Sequence, residues 1–154
     1  MTSRVGRALQ HHLRWLRTCI FAAEEFSTCA KRQYFAVILS PEGRCVGTGY
    51  NGSPPGVGHC KDGHCPRLHE DSPSGSSYDN CIAIHAEENA LLWSDRTARL
   101  GGTLIVNGPP CFGCAKKIAG SGLAKVVYLR DDTYLDWPRG KAILHAANVA
   151  TLGI

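Results

Sequence analysis

Strands alternating with helices after residue 80 predict an α/β fold: a three-layer αβα sandwich whose helices cover both faces of a mixed sheet of about five strands. Two further observations agree. A β-branched and aromatic hairpin precedes the alternation, and an amphipathic helix opens the chain. The length of 154 residues, 44% of them apolar and 19% charged, suits one compact domain over 1–154 with a sizeable core.

Leu9, Leu13, Leu16, Ile20 and Ala23 recur at three- and four-residue spacing, which predicts a helix of about 15–20 residues with these side chains on one face. Tyr34 to Leu39 reads as a strand, Pro41-Glu42-Gly43 as a tight turn and Cys45 to Tyr50 as the returning strand. The segment at about 52–81 is dense in Gly, Pro, Ser, His and Cys and has no periodic pattern. An insert of that length is functional or disordered, and its cysteines offer a means of ordering it. Helical residues return from His85 to Trp93, where Ala86, Ala90 and Leu91 are good helix formers. Thr103 to Val106 is a short strand, Asn107 to Pro110 a turn, Cys111 to Ala119 a helix and Lys125 to Leu129 a strand. A helix follows Pro138 to about Ala147, and Val149 to Leu152 reads as the last strand. No internal repeat and no linker divides the chain.

The longest uncharged apolar run, around Tyr34 to Leu39, is far too short to span a bilayer. Arg4, Arg7, Arg14 and Arg17 interrupt the N-terminal segment, so no apolar region of a secretory signal forms and a cytoplasmic setting is expected. There the eight cysteines are expected as free thiols or metal ligands rather than disulfides. Cys19 and Cys45 read as buried apolar residues. A net charge of +4 is too small to argue for a nucleic-acid partner. Its concentration before residue 18 reads as a solvated helix surface.

The chemistry lies in two half-motifs. Cys111-Phe-Gly-Cys114 at a helix start puts two thiols one turn apart, where the helix dipole and free amides favour thiolates. Pro109-Pro110 suits that position, because the first amides of a helix lack partners anyway. Alone, the Cys pair fits a redox couple or half of a structural zinc site. His85 opens another helix, and Glu87 follows it. One His and two Cys supply three ligands and leave a fourth position open, the arrangement of a catalytic zinc. Such an ion brings the pKa of bound water to about 7. Glu87 can take the protons of that water in turn and return them, to the substrate ring nitrogen and then to the departing ammonia. His-x-Glu followed by Pro-Cys-x-x-Cys is the signature of zinc-dependent nucleobase deaminases.

These residues resemble the cytidine deaminase superfamily and, within it, the deoxycytidylate deaminase family. The resemblance runs from about Cys29 to Leu129. It is carried by Thr48-Gly-Tyr-Asn-Gly-Ser-Pro54, by Ile84-His-Ala-Glu-Glu-Asn-Ala90 and by Pro110-Cys-Phe-Gly-Cys-Ala-Lys-Lys-Ile118, with His59-Cys60 between the first two. It implies a cytidine deaminase-like sandwich that converts dCMP to dUMP, with zinc-bound hydroxide attacking C4 and Glu87 as proton shuttle. Asn51 is implied to hydrogen-bond the sugar 3′-hydroxyl. The backbone amides of Ala86 and Cys111 are implied to face the pyrimidine carbonyl and the attacking oxygen. Pro110 and Tyr134 complete the implied substrate contacts, while Tyr128 is equally explained as strand packing.

The resemblance also implies a second, structural zinc in some members, with Cys29 and Cys60 at matching places. Cys65 and Cys81 complete the preferred set here. It further implies control by dCTP or dTTP through Gly49 to Gly52, and assembly as a homo-oligomer, dimer or hexamer. Lys31, Arg32, Arg67 and Arg130 are candidates for the substrate phosphate, and the sequence does not rank them. The alternatives are another cytidine nucleotide, CMP or a 5-modified dCMP, and a deaminase of tRNA or single-stranded nucleic acid. The region from Asp131 onward has no Lys/Arg run for an RNA backbone, which disfavours the last.

Overall fold

The computed structural model describes residues 4–70, 72, 76 and 78–154; residues 1–3, 71, 73–75 and 77 lie outside the described residues. Five strands form one mixed sheet in the order β2-β1-β3-β4-β5: β1 (Phe35–Leu39), β2 (Cys45–Tyr50), β3 (Thr103–Val106), β4 (Lys125–Tyr128) and β5 (Ala150–Gly153). β1 runs antiparallel to both β2 and β3, while β3, β4 and β5 are parallel to one another.

Side chains alternate across a strand, so each strand feeds two cores. Val37, Leu39, Ile105 and Val127 face helix α1 (Arg4–Phe26) and pack on its Leu16 and Cys19. Ala36, Ile38, Leu104, Val106 and Val126 face the opposite layer. That layer is α3 (Ala86–Leu92), α5 (Phe112–Ala119) and α6 (Trp137–Ala146), which contribute Ala86, Ala90, Ala115, Ile118 and Leu144. The small side chains of α3 let it lie close to the sheet. Gly49 in β2 completes the fit: a Cβ there would collide with the backbone of Ala86 and Ala90.

Several expectations are corrected. α1 spans 23 residues, and its buried stripe is Leu16, Cys19, Ala22 and Ala23. Leu9 and Ile20 are exposed, because the sheet covers only the sector of the helix centred on Cys19. Cys45 is exposed as well, since it opens the edge strand β2. Cys19 is fully buried; its thiol donates to the Ile105 carbonyl at 3.6 Å, and burial pushes its pKa up to about 12. A further four-residue helix, α4 (Arg96–Arg99), is too short to show a periodicity; the Asp95 carboxylate caps it by accepting from Thr97 N and Ala98 N. The insert contains short helical turns at Cys60–Asp62 and Tyr78–Asn80, with α2 (Pro66–His69) between them. Among the described residues no helix is long and apolar enough to cross a membrane.

The topology gathers the candidate residues at one end of the sheet. The C-terminal end of β3 leads into the 107–110 turn and α5. Because β1 is antiparallel to β3, its start lies beside that end, with Ala36 opposite Val106. The end of β2, leading into Asn51, lies there too, with Tyr50 opposite Phe35.

Candidate metal centre and active site

His85 is the N-cap of α3 and Cys111 the N-cap of α5, so two helix starts point at one another. His85 Nδ1 lies 3.4 Å from Cys111 Sγ and 3.5 Å from Cys114 Sγ. The Cys114 amide donates to Cys111 Sγ at 3.4 Å, and the Phe112 amide donates to Asp136 Oδ2 at 2.9 Å. A Lys117–Glu88 ion pair of 2.6 Å ties the two helices on their outer side.

Among the described residues this is the one group of three or more His, Cys, Asp or Glu whose ligand atoms all fall within 4.8 Å of one another. The spacing fits a tetrahedral ion. Zinc–nitrogen and zinc–sulfur bonds of about 2.0 and 2.3 Å at tetrahedral angles put N and S about 3.5 Å apart. The protonation pattern fits too. Burial draws the His85 pKa down, but hydrogen bonds to Cys111 and Cys81 and the charge of Glu87 outweigh it and push it up to about 10. Cys111 is drawn down to about 4, first by the hydrogen bond from the Cys114 thiol and then, against burial, by His85. Cys114, which gives that hydrogen bond, is raised. The cluster therefore concentrates donor atoms and replaceable protons, which a divalent cation displaces.

Glu87, in the first turn of α3, is 6% exposed, and burial lifts its carboxyl to about 7. Ala86 is fully buried at the same helix start, where amides have no intrahelical partner. Both line a cavity together with Asn51, Tyr34, Tyr78 and Tyr134. The side chain of Asn51 already holds the local backbone. Its Oδ1 accepts from Tyr34 N at 2.8 Å and Ser27 Oγ at 2.5 Å, and its Nδ2 donates to Arg32 O at 2.7 Å. One Nδ2 hydrogen is left for a ligand.

Tyr134 lines the cavity, and its hydroxyl meets that of Tyr78 at 3.0 Å. Tyr78 stands edge-on to His85 with ring centroids 5.1 Å apart. Tyr128 is core packing: it is buried, and its hydroxyl accepts from Trp137 Nε1 at 2.9 Å. Pro110 is fully buried just before α5, and Pro109 lines the cavity. Tyr34 and Tyr78 also line the cavity, and no periodicity marks them in the sequence: backbone hydrogen bonds with Asn51 hold Tyr34 there, and the insert delivers Tyr78.

The cysteines expected around a second zinc do not converge in this way. Cys60 and Cys65 are buried together against Ala83, and the Cys60 thiol, hydrogen-bonded to Cys65, is pushed up to about 11, mainly by burial. Cys29 lines the active-site cavity. Cys81 turns toward His85, and that hydrogen bond lowers its pKa.

The five-stranded sheet thus carries a His/Cys/Cys group that could hold a metal ion, beside a buried glutamate, the features of a metal-binding domain. Residues 9–130 match the family described as the cytidine and deoxycytidylate deaminase zinc-binding region, and the chain belongs to that family. It is 42% identical over 115 residues to the deoxycytidylate deaminase of Mycobacterium phage D29, an alignment covering 71% of this chain and 88% of the relative. It is 41% identical over 108 residues to that of Schizosaccharomyces pombe, covering 69% of this chain and 33% of the relative. The chain thus spans most of the phage protein and a third of the yeast one. The fold is shared with the dCMP deaminase of cyanophage S-TIM5, at a TM-score of 0.69 and 22% identity, over 94% of this chain and 98% of that one.

Proposed function

We propose that the chain hydrolyses the 4-amino group of dCMP, releasing dUMP and ammonia, in a zinc-dependent reaction. The observation that carries this reading is the convergence of His85 Nδ1 with the Cys111 and Cys114 sulfurs beside buried Glu87. Its relatives in phage D29 and fission yeast, both named deoxycytidylate deaminase, support the choice of substrate. So does the cavity lining, in which Lys31, Arg32 and Arg67 face a single carboxylate, that of Glu87. That balance favours an anionic ligand over a neutral nucleoside.

His85, Cys111 and Cys114 would hold a zinc ion, which would supply Lewis acidity of the kind that brings the pKa of water to about 7. Glu87 handles the protons. Burial lifts the pKa of its carboxyl to about 7, where as carboxylate it takes one proton from the attacking water for the ring nitrogen and a second, from the hydroxyl added at C4, for the leaving ammonia. The amides at the starts of α3 and α5, from Ala86 and Cys111, are fixed donors for oxygen atoms that gain charge. The remaining Nδ2 hydrogen of Asn51 orients the sugar 3′-hydroxyl, while Tyr34, Tyr78 and Tyr134 wall the base from water.

A substrate panel tests the reading: dCMP, CMP, 5-methyl-dCMP, cytidine and a single-stranded oligonucleotide, followed by ammonia release. dCMP is expected to give the highest kcat/KM. Ammonia from the oligonucleotide and none from dCMP would end it. Homo-oligomeric assembly, a cytoplasmic setting and control by dCTP or dTTP belong to the same reading. Light scattering and assays with added triphosphate test the first and the last. Metal analysis decides the insert: about two zinc ions per chain would make Cys29, Cys60, Cys65 and Cys81 ligands, and about one would leave them a buried thiol cluster.

A further inference from the structure

We infer that Asp136 and Arg139 at the start of α6 form a clamp on Phe112 that holds Cys111 and Cys114 in their metal-binding arrangement. The inference rests on the zinc reading of the His85 cluster and adds the positioning residues that keep its two thiols in place.

Phe112 lies between the two cysteines and supplies the first helical amide of α5, a donor with no intrahelical partner. Asp136 Oδ2 accepts from that amide at 2.9 Å. Its Oδ1 stands 3.4 Å from Arg139 Nη1, and the Arg139 guanidinium lies over the Phe112 ring with Cζ 4.2 Å from the centroid. Backbone and ring of one residue are therefore gripped from the first turn of α6. By the rules of its own helix Asp136 is misused. It is the N-cap of α6, where a carboxylate ordinarily accepts from the second or third amide of that helix. It makes no such bond, and Pro138 leaves the second position without an N–H. A residue that forgoes its local role to serve a neighbouring element points to function.

The clamp answers a weakness of the metal centre. Cys111 is the N-cap of α5 rather than part of its hydrogen-bonded body, and helix ends fray. Two of the three candidate ligands depend on that first turn, in which Cys114 N donates to Cys111 Sγ at 3.4 Å. α6 lies close enough to hold it: a Cβ on Gly140 would stand 3.3 Å from Ala115 Cβ and 3.4 Å from Pro110 O. α5 is thus tied to α3 through Lys117 and Glu88, and to α6 through Phe112. Asp136 also follows Tyr134 by two residues, so the same carboxylate anchors the turn that sets Tyr134 in the cavity wall. A charge-assisted bond to a backbone amide suits this task, because it fixes position without supplying a competing metal ligand.

The test measures zinc affinity by competition with a chromophoric chelator, and the absorption of cobalt(II)-substituted protein, in wild type, Asp136→Ala and Asp136→Asn. The binding step that Cys114→Ala removes identifies the His85 site. Loss of an outer partner of a metal ligand weakens binding about 10- to 100-fold. That loss is expected in Asp136→Ala, with a weakened or shifted sulfur-to-cobalt charge-transfer band. Asp136→Asn keeps an oxygen that can accept from Phe112 N and should recover most of the affinity. A lowered Tm in Asp136→Ala with wild-type zinc affinity and cobalt spectrum would make the clamp purely structural and overturn the inference. Asp136→Asn no better than Asp136→Ala would overturn it as well. Should Asp136→Ala fail to fold, Asp136→Glu, which keeps the charge and displaces the oxygens by one methylene, decides in the same way. A wild type without the zinc step at His85 refutes the zinc reading and this inference together. A wild type that binds zinc there, with variants of equal affinity, refutes this inference alone.

Discussion

Substitution of Gly49 by alanine probes how the fold sets the metal centre. Gly49 lies in β2 directly under α3, the helix that begins at the metal-facing His85 and carries Glu87. A Cβ at this position would stand 2.7 Å from Asn89 Cβ and closer still to Ala86 O and Ala90 N. Two of these three atoms are backbone, so a rotamer change cannot relieve them. To reach ordinary contact near 3.4 Å, α3 must move off the sheet by about 1 Å, a displacement that costs an enzyme on the order of 100-fold in rate. Overpacking of this kind costs about 1–3 kcal/mol, which in a chain of this size lowers Tm by about 2–12 °C. The control is Gly120→Ala, where a Cβ meets nothing nearer than 3.8 Å and φ is −85°; it should be neutral or stabilise by up to about 1 kcal/mol. Thermal melts and initial rates on dCMP measure both. Gly49→Ala with an unchanged Tm and unchanged kcat would refute the claim that β2–α3 contact sets the site.

Glu87→Gln should retain zinc by metal analysis while kcat falls about 10²- to 10⁴-fold; substantial residual turnover would contradict the proton role. Cys114→Ala should remove the metal from the His85 cluster, lowering the zinc content per chain by one and abolishing activity. Asn51→Ala loses three hydrogen bonds, one buried and two part-buried, so denaturant unfolding should show a loss of about 2–4 kcal/mol together with a raised KM. Ile105→Ala, at a fully buried position in the central strand β3, should cost about 2–5 kcal/mol and leave turnover per folded molecule intact. A loss of kcat at that position would mean that the α1 face of the sheet is coupled to the site.

The strands of the hairpin and β3 are legible in the sequence because local signals suffice: β-branched runs bounded by Gly, Pro and Asn. The metal cluster is legible for a similar reason. Each half is a short motif at a helix start, and the chemistry of the donor set requires that they meet. What the sequence does not reveal depends on tertiary neighbours. The stripe of α1 centres on Cys19 rather than Leu9 and Ile20, because the sheet determines which sector is covered. Pro109 and Pro110 are adjacent, and only the path of the turn decides that Pro109 faces the cavity. Tyr34, just before β1, is held beside the site by its backbone hydrogen bonds with Asn51. Arg67 and Tyr78 arrive on an insert with no periodicity to read. The insert cysteines are conspicuous in sequence, yet their sulfurs do not gather into a second group like that at His85.

Ammonia release from dCMP during zinc titration of chelator-stripped protein tests the central claim most directly. The account predicts no turnover without metal. Activity should then rise in step with occupancy of the His85–Cys111–Cys114 cluster, and the Cys114→Ala chain should stay inactive at any zinc concentration. Turnover by the stripped protein, or a zinc-loaded chain inert toward dCMP, would contradict it.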